Sequence, residues 1–307
     1  MNDKLIIATR KSELALWQAN HVAGLLRKLH DGLEVELLPM VTQGDVILDR
    51  PLAQIGGKGL FLKELERALF REEADIAVHS MKDVPMEDVD GLAVEVVLER
   101  ANPFDALLSN SGEGLAELPT GSRVGTSSLR RQCQLKSIRP DLQVADLRGN
   151  VNTRIRKLQD GEYDAIILAC AGLERLGLDD LVTETLAPPA WLPAATQGTI
   201  GVQCRQDDDA VKGLIQPLLD PETALRTRAE RSVATRLQGS CQVPLAVYAA
   251  VNDDRLHITG LVGTPDGQSV LRSEAEGYPG EVDYLSTLLA EHLLEQGAGA
   301  IIASLSP

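Results

Sequence analysis

The sequence is poor in aromatic residues and in positive charge. Aromatic side chains make up 3% of its 307 residues, and 45 acidic residues outnumber 30 basic ones, which gives a formal net charge of −15. A surface of that sign repels nucleic acid and anionic membranes, so neither is an expected partner. An anionic small molecule can still bind where basic residues are concentrated locally, so the placement of arginine becomes informative.

Long apolar runs are also absent. No stretch of about 18 apolar residues occurs, so the sequence predicts no transmembrane helix. The first ten residues, MNDKLIIATR, hold a short apolar run that is soon followed by charge. That pattern is unlike a secretory signal, and we expect a cytoplasmic protein.

Cysteine is scarce and scattered. The four cysteines form no CxxC pair and no grouping with histidine that is typical of a metal site, so no metal is expected and the thiols should be free. Cys170 and Cys204 lie in apolar, strand-like runs and are interpreted as small buried hydrophobes, as Cys133 is by default. Cys241 differs, because it lies in the turn-like segment GSCQVP at 239–244.

Strand and helix patterns alternate over the first 199 residues, which predicts an α/β fold. Strand–helix–strand order indicates mainly parallel sheets with helices on both faces, arranged as two lobes around a cleft. The proline-rich segment 186–193 is interpreted as a linker or crossover, and 200–204 as a strand that returns to the first lobe. After residue 218, helix and alternating-strand patterns predict a small α+β domain with an antiparallel sheet. The expected domains are 1–100 with 200–217, 101–199, and 218–307.

The segment 42–60 has four glycines and little periodicity. Loops of that length without secondary structure are often lids or binding loops. The alternative is a connector between elements.

Basic residues recur at the predicted carboxyl ends of strands. In the second lobe these are Arg148, Arg154 and Arg175, and in the first lobe Arg10 and Lys82, with Ser12 beside them. The carboxyl ends of strands form the usual ligand edge of an α/β sheet. One arginine there is ordinary surface charge, but repetition favours a ligand with several anionic groups.

The segment GTSSLRR at 125–131 combines a strand end, a hydroxyl-rich turn and a helix start. Free backbone N–H groups at a helix start bind anions, and Ser128, Arg130 and Arg131 would add hydroxyl and guanidinium donors. The alternative is a capped helix with a solvated basic face.

Asp83 is an acid among these bases. Positive neighbours should lower its pKa and keep it ionised, so it could stabilise a cation or exchange a proton with an amine. The alternative is a salt bridge with Lys82 or an arginine. His79, which has no metal partner near it in sequence, is interpreted as structural rather than catalytic.

These residues lie in motifs that resemble the porphobilinogen deaminase family along the whole chain. The matching segments are ATRKS at 8–12, GGKGLF at 56–61, HSMKDVP at 79–85, GTSSLRR at 125–131, LRGN at 147–150 and CQVP at 241–244. Each motif is weak by itself, and together they are specific.

The resemblance implies a fold and an activity. The fold would be two lobes like those of periplasmic binding proteins, followed by a third small domain, in a monomer. Cys241 would carry a dipyrromethane cofactor through a thioether. Four porphobilinogen molecules would be added in sequence with loss of ammonia, and hydrolysis would release hydroxymethylbilane.

The resemblance also assigns residues. Asp83 would be the catalytic carboxylate that supports deamination and positive charge on a pyrrole nitrogen. Acetate and propionate side chains would be bound by Arg10, Ser12, Lys82, Ser128, Arg130, Arg131, Arg148, Arg154 and Arg175. Among these, Lys82, Ser128, Arg130 and Arg131, together with Asp83, are expected to hold the cofactor, and Arg10, Ser12, Arg148, Arg154 and Arg175 the substrate.

Three positions depart from the family pattern. Gln54 stands where lysine is frequent, Thr196 where glycine is usual, and Ser240 replaces a glycine before Cys241. None is a proposed catalytic group, so activity is still expected.

Two other functions fit parts of the pattern. A two-lobed polycarboxylate-binding module without catalysis would need neither Asp83 nor a cysteine presented by a third domain. A thiol enzyme with Cys241 as nucleophile would need a base to activate it, and no histidine lies close in sequence.

Overall fold

The computed structural model describes residues 4–42, 62–87, 89–237 and 243–305. Most of the predicted binding loop at 42–60 lies outside the described residues. Cys241, Gln54 and Ser240 lie outside them as well.

A five-stranded sheet with the strand order β2-β1-β3-β10-β4 forms the first lobe. β1 pairs in parallel with β2 and β3, whereas β10 runs antiparallel to both β3 and β4. Four strands therefore share one direction, which confirms the predicted mainly parallel sheet and the return of the chain at 200–204. The elements are β1 (Lys4–Arg10), α1 (Glu13–Leu29), β2 (Glu34–Met40), α2 (Lys63–Phe70), β3 (Ile76–Ser80), β4 (Leu92–Val97), β10 (Ile200–Arg205) and α6 (Asp209–Ile215).

Helix α1 covers one face of this sheet. Its residues Val22 and Leu26 are buried against Leu5 and Ile7 of β1, as expected for an amphipathic helix on a buried parallel strand. Ser12 occupies the N-cap position of α1, and its side chain makes no capping hydrogen bond.

The second lobe repeats the first. Its sheet has the order β7-β6-β8-β5-β9, in which β6, β7 and β8 are parallel and β5 runs antiparallel to β8 and β9. Helices at 129–138 and 151–159 follow two of the parallel strands. The elements are β5 (Asp105–Ser109), β6 (Arg123–Gly125), α3 (Leu129–Ile138), β7 (Gln143–Ala145), α4 (Val151–Gln159), β8 (Ala165–Ala169), α5 (Cys170–Arg175) and β9 (Glu184–Leu186).

The C-terminal part is α+β with an antiparallel sheet in the order β11-β12-β13, as predicted. Helix α8 packs its buried residues Leu285, Leu289 and Leu293 with Ile258 of β12 in one core. The elements are α7 (Pro221–Arg236), β11 (Leu245–Asn252), β12 (Arg255–Gly263), β13 (Val270–Gly277), α8 (Val282–Glu295) and α9 (Ala298–Leu305). Helix α9 is not foreseen from the sequence.

The chain divides into two compact units. Residues 1–101 and 198–224 form one, and residues 102–197 and 225–307 form the other. The second lobe and the antiparallel sheet thus lie in the same unit, and the three predicted domain boundaries stay a prediction.

Buried polar contacts join the parts of the second unit. Glu230 of α7 is fully buried, and its carboxylate accepts hydrogen bonds from the backbone N–H of Thr196, at 2.5 Å, and of Ala249 in β11, at 2.8 Å. Arg272 of β13 donates to the carbonyl of Pro189. Trp191 is 1% exposed, so the segment 186–193 is anchored in the second unit by a buried tryptophan.

In the described part of the chain, no helix combines the length and the apolar character needed to cross a membrane.

Candidate active site

The predicted site residues of the first lobe gather at one edge of its sheet. Arg10 is the last residue of β1, and the parallel neighbour β3 ends at Ser80 and runs into a 3₁₀ turn, Met81–Asp83. That turn carries Lys82 and Asp83. Asp83 is exposed, whereas Arg10 and Lys82 are partly buried. Arg10, Lys82 and Asp83 thus follow neighbouring parallel strands at one edge of the sheet.

The position of the 3₁₀ turn is fixed by strand β10. The backbone N–H of Met81 donates to the carbonyl of Thr199 at 3.0 Å, and the Met81 side chain is 2% exposed. Gly201 of β10 lies so close to Met81 that an added Cβ would clash with its Sδ and lie 3.0 Å from Val94. Glycine at 201 therefore permits the packing that seats Lys82 and Asp83.

His79 lies in strand β3, four residues before Asp83, and its imidazole ring is buried and neutral. Its Nε2 lies 2.9 Å from Gln203 Oε1, and Gln203 is itself hydrogen-bonded to Glu66 of α2. Because a carboxylate only accepts, the Gln203 amide donates to Glu66 and its oxygen accepts from His79, which places the His79 proton on Nε2. Burial lowers the pKa of His79 to about 4, against the opposing effects of Gln203 and Asp83. This agrees with a structural role.

The second lobe has a corresponding edge. β6, β7 and β8 are parallel neighbours, and the residues that follow each strand meet there. Ser127 links the segments that follow β6 and β7. Its Oγ donates to the carbonyl of Leu147 and accepts from the Leu147 N–H, each at 3.0 Å. Ser128 is the N-cap residue of α3, with no side-chain capping bond to occupy its hydroxyl.

Arg148 and Arg154 lie at this edge of the second lobe. Arg154 Nε donates to the carbonyl of Gly149 at 2.8 Å, which holds the guanidinium back over the start of α4. Desolvation lowers the pKa of Arg148, although the negative charge of Asp146 acts to raise it. Arg175 ends α5, the helix that follows β8, and burial lowers its pKa to about 10. An anionic group beside the desolvated guanidinium groups of Arg148 and Arg175 would favour their charged form.

Arg130 and Arg131 are placed differently from the other arginines. Both are buried, and both bind the carboxylate of Asp105, the first residue of β5. The distances are 2.8 Å from Arg130 Nη1 to Oδ2 and 2.7 Å from Arg131 Nη2 to Oδ1. Neither guanidinium lies on a solvated helix face, so that interpretation is wrong.

Asp105 was not among the residues predicted from the sequence. Burial by itself would raise its pKa, but the charges and hydrogen bonds of Arg130 and Arg131 hold that pKa well below its usual range. The sequence signal was an acid placed directly before the apolar run Ala106–Leu108. Such an acid must find a buried partner if the run is a core strand.

The described cysteines are inert. Cys133, Cys170 and Cys204 are free and buried, and desolvation raises the pKa of each thiol to about 11. The interpretation of Cys170 and Cys204 as buried hydrophobes is confirmed.

Two family models match this chain. One, described as "Porphobilinogen deaminase, dipyromethane cofactor binding domain", covers residues 5–213, and the other, "Porphobilinogen deaminase, C-terminal domain", covers residues 224–295. The chain belongs to the porphobilinogen deaminase family. It is accordingly a transferase of tetrapyrrole biosynthesis that makes hydroxymethylbilane from porphobilinogen with a dipyrromethane cofactor, and the alternative of a non-catalytic binding module is not favoured.

Similar solved structures include several periplasmic binding proteins. The aliphatic sulphonate binding protein SsuA from Escherichia coli is 16% identical, over 78% of this chain and 71% of that one, with a TM-score of 0.42. The probable amino-acid transporter binding protein ytmK from Bacillus subtilis is 14% identical, over 72% of this chain and 93% of that one, with a TM-score of 0.40. At these scores the likeness carries no information about the ligands of this chain.

The residues present fit the acidic cofactor of the porphobilinogen deaminase family. Among the described residues, Nε of buried Arg131 has no hydrogen-bond partner, so this guanidinium keeps a donor available. Arg175 is a partly buried cation whose pKa is lowered by desolvation. Carboxylate side chains are suited to such donors and charges.

The packing of Gly201 against Met81 makes a prediction about catalysis. Gly201→Ala should displace Met81 and with it Lys82 and Asp83, and we expect porphobilinogen turnover to fall by about 10- to 100-fold. Steady-state kinetics on variants confirmed as folded measure this. Gly213→Ala in α6, where nothing lies within 4 Å of the added Cβ, is the matched control and should keep wild-type turnover. Equal rates for the two variants would show that the turn tolerates the displacement.

The buried neutral His79 makes the stability of the folded chain depend on pH. An unfolded chain protonates this histidine near pH 6.5, whereas the folded protein does so only near pH 4. As the pH falls through that window the unfolded state binds the proton first, and the free energy of unfolding should decline by about 3 kcal/mol from this group. Urea denaturation of wild type and His79→Gln between pH 7 and pH 4 measures the difference. An identical decline in the variant would contradict the assignment.

Proposed function

We propose that this protein is the hydroxymethylbilane synthase of its cell: it joins four porphobilinogen molecules head to tail, releases one ammonia for each, and holds the growing chain on a dipyrromethane group at Cys241. The observation that carries the proposal is the family match over residues 5–213 and 224–295. The basic residues at the ligand edges of both sheets support it, because each pyrrole unit brings an acetate and a propionate.

The proposed binding roles follow the two strand-end edges. Arginine forms paired, charge-assisted hydrogen bonds with carboxylates, and serine hydroxyls and lysine add single donors. The residues proposed to bind substrate are Arg10, Ser12, Arg148, Arg154 and Arg175. Those proposed to hold the cofactor are Cys241, Lys82, Asp83, Ser128, Arg130 and Arg131.

Asp83 is proposed as the catalytic carboxylate. It is exposed on a short turn whose position is set by Met81 and Gly201, so its carboxylate is held at the edge with freedom to meet a ligand. As an anion it stabilises positive charge on a nearby pyrrole nitrogen, and it can accept a proton there or return one to the departing amine. The dipyrromethane group, when bound, supplies the electron-rich pyrrole carbon that is extended.

Cys241 is proposed as an anchor rather than as a turnover nucleophile. Its bond forms once, while Asp83 acts in each addition. The buried thiols elsewhere are unsuited to this task, because a thiol with a raised pKa is seldom the reactive thiolate.

The proposed setting is the cytoplasm, where free thiols persist, and the proposed state is a monomer with its third domain at 218–307. Porphobilinogen is the proposed small-molecule partner. The net charge of −15 supports the absence of nucleic-acid and membrane partners from the proposal.

The anchor role predicts a mass. Protein purified from a haem-producing host should exceed the mass of the chain by two linked pyrroles, with the excess on the peptide that contains Cys241. Cys241→Ala should lose both the excess and all bilane synthesis, whereas the control Cys170→Ala should keep both. Intact-mass and peptide-mass spectrometry decide this, and an unmodified wild-type chain that is folded would overturn the tethered cofactor.

Asp83→Asn tests the catalytic carboxylate. Because the residue is exposed, the free energy of unfolding should change by less than about 0.5 kcal/mol. Loss of the negative charge should lower kcat by about 100-fold or more. Asp90→Asn, at another exposed acid of the same lobe, is the control and should keep wild-type kcat. A near wild-type rate for Asp83→Asn would leave Asp83 as a salt-bridge partner only.

A further inference from the structure

The carboxylate of Asp105 is fully coordinated. Oδ2 accepts from Arg130 Nη1 at 2.8 Å and from Trp191 Nε1 at 2.8 Å. Oδ1 accepts from Arg131 Nη2 at 2.7 Å and from Gln197 Nε2 at 2.9 Å. A carboxylate offers about four acceptor sites, so Asp105 has no capacity left for a ligand and its orientation is fixed by its neighbours.

The two guanidinium groups are each held from a second side. Arg130 Nη1 also donates to the carbonyl of Leu192 at 2.7 Å, and Arg131 Nη1 donates to the carbonyl of Ile167 at 2.8 Å. A guanidinium has five N–H donors, so these contacts fix its plane without using all of them. Nε of Arg131 has no partner among the described residues.

The charges of this cluster do not cancel. Two guanidinium cations share one carboxylate, so the cluster keeps one positive charge in a buried setting. Burial, together with the charge of Arg131, lowers the pKa of Arg130 against the opposing effect of Asp105. A carboxylate placed beside Nε of Arg131 would balance the remaining positive charge and accept a hydrogen bond from that donor.

We propose that Asp105 is a positioning residue for the cofactor: it holds Arg130 and Arg131 in fixed planes, with one unbalanced positive charge between them, ready to receive a carboxylate of the dipyrromethane group. This rests on the proposed function of Arg130 and Arg131. Asp105 itself touches neither cofactor nor substrate. It holds the two guanidinium groups in their binding orientation before the cofactor arrives, which lowers the entropic cost of cofactor binding.

The test compares the fraction of chains that carry the cofactor in two variants whose loss of Tm is similar. Full-length Asp105→Asn and Leu108→Ala are purified from the same haem-producing host as the wild type. Leu108 is buried on the same strand and takes part in no polar contact of the cluster, so its truncation lowers Tm without altering the charges. Intact mass gives the loaded fraction of each protein, and kcat is then measured per loaded chain.

Asp105→Asn should reduce the loaded fraction by about tenfold, while Leu108→Ala should stay within about twofold of wild type at a similar loss of Tm. Equal loading of the two variants would reduce Asp105 to a structural residue and overturn the inference. A wild-type chain without the added mass would instead overturn the proposed function itself.

Asp105→Glu decides the case in which Asp105→Asn does not fold. The variant keeps the negative charge and moves the carboxylate by one methylene, so it should fold and yet load several-fold less than wild type. Full loading of Asp105→Glu would mean that charge alone is required, and the positioning role would be wrong.

Discussion

The second lobe is organised around one buried carboxylate shared by two guanidinium groups. Removing three charges from water carries a large free-energy penalty, and it is offset only when the charged groups find well-placed hydrogen-bond partners. Asp105 meets that condition through four hydrogen bonds that reach α3, Trp191 and Gln197. Strand β5, helix α3 and the segment that leads out of the lobe are thereby fixed to one point.

This constraint explains why the basic residues of the molecule fall into two kinds. Arg148, Arg154 and Arg175 lie where strands end and keep part of their surface. Arg130 and Arg131 have adjacent positions on a helix but are drawn inwards by a carboxylate 25 and 26 residues earlier in the chain. The first kind follows from the architecture of a parallel sheet. The second depends on a single long-range pairing.

That difference also marks how far the sequence could predict the structure. The alternation of strand and helix patterns predicted the mainly parallel sheets and the antiparallel C-terminal sheet, because apolar spacing records local geometry. The sequence did not predict α9, whose Gly299 weakens the helical pattern. It placed Arg10, Lys82 and Asp83 correctly at a sheet edge. It could not place Asp105, since burial of an acid is decided by partners distant in sequence.

The two lobes have equivalent strand orders, but the strand that runs antiparallel to its neighbours is synthesised last in one lobe and first in the other. In the second lobe β5 precedes the parallel strands, whereas in the first lobe β10 is the last strand to be made. β4 ends at Val97 and its neighbour β10 begins at Ile200. At ribosomal rates of about 5–20 residues per second, roughly ten seconds separate their synthesis. During that interval the edges of β3 and β4 lack β10, the strand that pairs with both. The first lobe is therefore synthesised early, but its sheet is completed only when β10 has been made. Until the return strand leaves the ribosome, these two strand edges carry unpaired backbone groups that could pair with another chain.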